Sequence, residues 1–182
     1  MKILRYNKHS KDELINKLRQ VTLLHSTKTA NPIYVFEDAD IEVGEIPVST
    51  IRPSQFYYLE KSLSKVGEIK KALKEHNIDL FNLDGFVSYI TNESDVEYNL
   101  LPVILEYQKE KDGTIHPIIL DGIHRVILAR KENLQKIQVV KIANVSKDFP
   151  YPAYVNSRGW EQVLPVKSPP EQKDKRNWTN SF

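Results

Sequence analysis

The sequence predicts an α/β protein of the α+β kind with a mixed sheet, and three observations carry that expectation. Leu101–Tyr107 and Ile115–Leu120 are apolar, strand-forming runs joined by Lys111-Asp112-Gly113-Thr114, which holds the Asp-Gly signature of a hairpin. Asp121-Gly122 then turns into a helical pattern over about Ile123–Asn133, with Ile123, Val126, Ile127 and Leu134 on its buried face. Ile137–Ile142 reads as one more strand. Strand, hairpin, strand, helix, strand makes a mixed sheet with one crossover, which the handedness rule makes right-handed.

The preceding elements follow in order. Ser10 with Glu13 three residues on is a capping box, and Leu14, Leu18 and Val21 keep helical spacing, so a helix is expected from Lys11 to about Leu24. Thr27–Pro32 reads as a loop and Ile33–Phe36 as a strand. Ile41–Val43 and Ile46–Ile51 are short β segments bracketing Gly44. Arg52-Pro53-Ser54-Gln55 opens a second helix, with Leu59, Leu63, Val66, Ile69 and Leu73 in helical spacing, a kink at Gly67 and an end near His76-Asn77. Between Ile78 and Asn99 the apolar pattern fits either a strand pair or a lid.

Composition bounds the class. The 182 residues suit one domain with a substantial core, and 40% hydrophobic with 27% charged residues is ordinary for a globular protein. A net charge of +2 is too weak a basic bias to announce nucleic acid. The absence of cysteine excludes disulfides, thiolate metal sites and a cysteine nucleophile. No apolar run reaches the length of a membrane span, and the first residues lack a signal-peptide core, so a cytoplasmic protein without a membrane partner is expected. The expected organisation is a single domain over 1–182. Within it lie an N-terminal extension (1–45), a core (46–144), a packed irregular extension (145–167) and a flexible tail (168–182).

The most informative stretch is Leu120-Asp121-Gly122-Ile123-His124-Arg125. A helix N-terminus has unpaired N–H groups and the positive end of the macrodipole, so His and Arg in the first turn fit best if an anion joins them. Asp121 adds a carboxylate at the C-terminal end of a strand, where open α/β sheets place ligands. The plain alternative makes Asp121 an N-cap, pairs Arg125 with Asp121 or a nearby Glu, and leaves His124 an ordinary surface histidine.

In this context the stretch from about Ile46 to Ile142 resembles the ParB/sulfiredoxin superfamily. The shared features are the β segment, the Arg52-Pro53 turn, the strand hairpin and the D-G-x-H-R turn, which is most similar to that of the free-serine kinase branch. The resemblance implies that Gly122, Ile123, His124 and Arg125 bind the phosphates of a purine nucleotide, ATP or ADP, with Arg52 and Gln55 facing the same cleft. It also implies Mg²⁺ held by Asp121 and a small-molecule substrate. NTP-dependent phosphotransfer or NTP hydrolysis would then employ Asp121, His124 and, as a stand-in base, Glu60. Departures limit this. Ile123 stands where sulfiredoxins place the reactive cysteine, and Gln55 stands where the serine kinases place a catalytic glutamate. An amide does not act as a general base. The chain after Ile142 is too short for the DNA-binding and dimerisation domains of partition proteins. A ParB-like DNA-binding or nuclease module is the second reading, and oligomeric state is left open.

Other clusters weigh less. His116 and His124 have no third ligand at zinc spacing. Lys61, Lys65, Lys70, Lys71 and Lys74 alternate with Glu60, Glu68 and Glu75, as a solvated helix face does. Tyr57 and Tyr58 fit core packing better than base stacking, and Trp160 and Tyr154 are expected to fasten the C-terminal extension.

Overall fold

A computed structural model describes residues 1–22, 32–109, 113–146 and 159–168. In chain order the elements are β1 (Ile3–His9), α1 (Lys11–Arg19), β2 (Asp40–Pro47), β3 (Tyr57–Leu59), α2 (Glu60–Lys74), β4 (Phe86–Thr91), β5 (Ser94–Leu100), β6 (Val103–Lys109), β7 (Ile115–Asp121), α3 (Ile123–Lys131), β8 (Lys136–Ala143) and β9 (Leu164–Val166). Short 3₁₀ turns lie at Val48–Thr50 and Gly159–Gln162. The content is α+β, as expected.

The central sheet has four strands in the order β2-β8-β6-β7. β6 and β7 are the antiparallel hairpin, while β8 lies parallel to β6 and antiparallel to β2, which makes the sheet mixed. Strand alternation sends its side chains to two different cores. Val103, Leu105, Ile137 and Val139 meet Leu73 of α2 and Val126 and Ile127 of α3. Ile104, Val140 and Ile142 meet Leu14 and Leu18 of α1 with Val35 and Phe36. The sheet is therefore covered on both faces, and this explains the near-continuous apolar runs of β6 and β8. A three-stranded sheet, β1-β4-β5, and a two-stranded parallel one, β3-β9, complete the fold.

Local physics accounts for the boundaries. Ser10 and Glu13 form the capping box of α1 as its spacing predicts. The helix ends at Arg19, short of Leu24, because Val21 turns inward to 1% exposure and Thr22 bridges Tyr34. Ile33–Phe36 is accordingly one bridge residue and a turn, not a strand. Val35 and Phe36 are both buried, and Arg19 holds this turn through the carbonyls of Phe36 and Ala39 at 3.2 and 3.3 Å. β2 runs straight through Gly44, and the expected strand to Ile51 stops at Pro47.

The second helix corrects a larger expectation. It begins at Glu60, not at Arg52-Pro53-Ser54-Gln55, and ends at Lys74 with no break at Gly67. Arg52 is extended instead: its N–H donates to Pro117 O at 2.9 Å and its carbonyl accepts from Ile119 N–H at 3.1 Å. Tyr57–Leu59 pair in parallel with Leu164–Val166. In the 78–99 stretch, residues 78–85 are irregular and the rest belongs to the β4–β5 hairpin, the strand-pair alternative. β1 had no sequence signal, being an edge strand with only Ile3 fully buried. The C-terminal extension is fastened by Trp160, whose indole donates to Ile51 O at 2.8 Å and lies under Arg130. The expectations for Thr27–Asn31, the Lys111-Asp112 turn, Tyr154 and the tail from residue 169 lie outside the described residues.

Gly85 marks where β4 passes the β1–α1 junction. A Cβ there would overlap the carbonyl oxygen of His9 and lie 2.7 Å from the carbonyl carbon of Ser10, so backbone would have to move. Gly85→Ala should destabilise the protein by roughly 1–3 kcal/mol in urea unfolding. An unchanged midpoint would show that this crossing is looser than its geometry.

Candidate functional site

The turn from β7 into α3 is the geometric centre of the site. Gly122 is the N-cap of α3 at φ +96°, and no side chain caps the helix. Its carbonyl takes the N–H groups of Arg125 and Val126, at 2.9 and 3.0 Å. Among the described residues the amides of Ile123 and His124 have no acceptor, as expected of a first helical turn without a cap.

These amides border a cleft of about 390 Å³. Ile119, Leu120, Asp121 and Gly122 form one side with the start of α3, and Ser54, Gln55, Tyr57, Leu59 and Val66 form the other. Apart from Val66 of α2, the second wall owes its place to the non-helical 52–59 segment. Ser54 donates its hydroxyl to Ile119 O at 2.7 Å, and Gln55 donates its side-chain N–H to Tyr57 O at the same distance.

Arg125 is 7% exposed and lies flat against Gly122. A Cβ on Gly122 would come within 2.8 Å of the guanidinium, so both the positive φ and the space demand glycine. One guanidinium nitrogen donates to Asp121 Oδ2 at 2.5 Å and the other to the carbonyl of Leu101. Asp121 is therefore paired with Arg125 rather than capping the helix, and its carboxylate stays half-exposed.

His124 bridges the two helix starts. Its Nε2 accepts the N–H of Leu59, the N-cap of α2, at 3.1 Å. Burial pushes its pKa below the ordinary value, against the pull of Asp121 and with the push of Arg125. The acceptor role at Nε2 agrees with a neutral ring.

Of the residues singled out in the sequence, Gln55, Asp121, Gly122, Ile123, His124 and Arg125 all line this cleft. Arg52 and Glu60 do not. Both are exposed, with the Arg52 side chain toward Gly159 and Glu60 opening α2. Ser54, Tyr57 and Leu59 also line it, brought there by the non-helical 52–59 segment, and Val66 lines it from α2. Among the described residues no three His, Asp or Glu side chains are placed to hold a metal ion.

The sheet is mixed and covered on both faces, and the turn from β7 into α3 opens beside a cleft. The ParB CE domain family matches residues 13–164, which contain that turn and both cleft walls, and the chain belongs to this family. No curated protein and no solved structure matches the chain.

Two outcomes test this geometry. Arg125→Ala strips the buried Leu101 carbonyl of its donor and leaves Asp121 unpaired, so urea unfolding should show a loss of roughly 2–4 kcal/mol. Arg125→Lys should recover only part of it, since an ammonium does not span both acceptors as the planar fork does. Full recovery would mean that charge alone matters. For His124, the depressed folded-state pKa means that the folded protein binds fewer protons than the unfolded chain. Stability should therefore be unaffected above the ordinary histidine pKa of about 6.5 and fall as pH drops below it. In His124→Gln, whose amide oxygen can accept the Leu59 N–H without titrating, that acid slope should be shallower; equal slopes would refute the assignment.

Proposed function

We propose that this ParB-like module binds a nucleotide, with a phosphate at the first turn of α3. The observation that carries the reading is the pair of unpartnered amides of Ile123 and His124 opening into a walled cleft beside Gly122. Free N–H groups and the positive end of the helix dipole favour an anion at that position. Apolar surface from Leu59, Val66, Ile119 and Leu120 offers room for the rest of the ligand.

The residues also define how chemistry would run. Asp121 Oδ2 is engaged by Arg125, which leaves Oδ1 as one ligand for a Mg²⁺ that phosphate oxygens would otherwise coordinate. Phosphoryl transfer or nucleotide hydrolysis by positioning is the fitting reaction class, with Asp121 orienting a hydroxyl or a water. Glu60 does not line the cleft, and Gln55 is an amide, so neither supplies the base.

A thermal-shift panel of ATP, ADP, CTP and GTP with Mg²⁺ tests the reading. A nucleotide at about 100 times its dissociation constant should stabilise the fold by about 2.7 kcal/mol. Val66→Trp, which sets an indole in the cleft from the α2 side, should abolish the shift in a folded protein. No shift with any nucleotide, together with salt-sensitive retention on DNA, would transfer the phosphate site to nucleic acid.

A further inference from the structure

The three-stranded sheet β1-β4-β5 ends in two open edges. Among the described residues β1 and β5 each pair with β4 alone, so each presents a row of N–H and C=O groups to no other strand. The two edges differ in charge. Lys2, Arg5 and Lys8 mark β1 and its approach, with no acid before Asp12. Glu93, Asp95 and Glu97 mark β5 and its approach, with no Lys or Arg between Asn92 and Leu100. Glu93 is taken by Lys65, whereas Arg5, Lys8, Asp95 and Glu97 are exposed and have no ion-pair partner among the described residues. Charges on an edge strand ordinarily keep other strands away. Here they repel only a like edge, β1 from β1 or β5 from β5, and attract the opposite one.

Direction and register agree with that attraction. β1 and β5 are both antiparallel to β4, hence parallel to each other. A copy displaced sideways across the sheet therefore brings its β5 alongside β1 in parallel. Tyr6, Tyr89 and Tyr98 lie in one row across the sheet, and Asn7, Ser88 and Asn99 in the next. The displacement extends those rows, so that Tyr6 meets Tyr98 of the next copy and Asn7 meets its Asn99. Arg5 and Glu97 each come one residue earlier on their strands and meet as an opposite-charge pair. Leu4 and Val96, both exposed, precede them and give the contact an apolar part.

We propose that β1 of one copy pairs with β5 of another, in parallel, so that the protein assembles head to tail through this sheet. The contact joins two different surfaces, so a pair of copies still leaves one β1 edge and one β5 edge open for further growth. No residue of either strand lines the cleft at α3, so ligand binding there and assembly are separate properties.

Sedimentation velocity of the full chain over a rising concentration series tests the pairing. The mean mass should climb past that of a dimer at low salt, and association should weaken at moderate salt as the edge charges are screened. Arg5→Glu makes that pair acidic on both edges and Glu97→Arg makes it basic on both, so each alone should weaken association by about tenfold. An equimolar mixture of the two variants should recover it, and so should the double variant Arg5→Glu/Glu97→Arg, a result that misfolding does not imitate. A monomer at every concentration would overturn the inference and leave the edge charges as guards against pairing. A dimer that grows no further, single variants that associate like the wild type, or a mixture that fails to recover would overturn it as well.

Discussion

The clamp of Arg125 over Gly122 is the constraint on which the rest of the site depends. A guanidinium can lie there only because residue 122 has no side chain and accepts φ +96°. From that seat it reaches Asp121 at the end of β7 and the carbonyl of Leu101, the residue that follows β5 and precedes β6. One side chain thus joins the turn, the start of α3 and the place where the chain passes from the three-stranded sheet to the four-stranded one. The first-turn amides of α3 are left free by the same arrangement, because the carboxylate that could have capped them is drawn away. An arginine that looks like a ligand-binding group in the sequence is, in three dimensions, a brace of the turn beside the cleft.

Much of the fold was legible where local pattern and final environment agree. The β6–β7 hairpin, α3 and β8 read correctly because apolar runs bounded by Asp-Gly turns have few other uses. The capping box of α1 was equally plain, since Ser10 and Glu13 satisfy each other without tertiary help. Failures came where a long-range partner overrode local preference. Tyr57–Leu59 fall inside the helix expected from Arg52 yet form β3, as Leu164–Val166 offer a strand to pair with. Val35 and Phe36 look like strand residues yet sit in a turn held by Arg19. β1 pairs with β4 across some eighty residues of sequence, and nothing within seven residues announces such a partner.

The site was legible in membership more than in roles. The D-G-x-H-R turn located the cleft, and Gln55 joined it as the resemblance implied. Arg52 and Glu60 were placed by an assumed helix that starts eight residues too early, so they point elsewhere. The pairing of Asp121 with Arg125 was the plain alternative in the sequence reading, and geometry favours it over a cap. The bond from Leu59 to His124 had no sequence signature, because it joins two helix starts that only folding brings within 3.1 Å.

The parallel pairing of β3 with β9 also sets an order of events during synthesis. β3 supplies Tyr57 and Leu59 to one wall of the cleft, and its partner, Leu164–Val166, lies more than a hundred residues further along the chain. Contacts of such separation form late, since the intervening loop must close before they reward it. Trp160 reinforces the same dependence by tying its segment to Ile51. On a ribosome the sheet and α3 can assemble while the wall opposite them still lacks its β9 partner. Among the described residues the wall is completed late, by a strand that does not line the cleft.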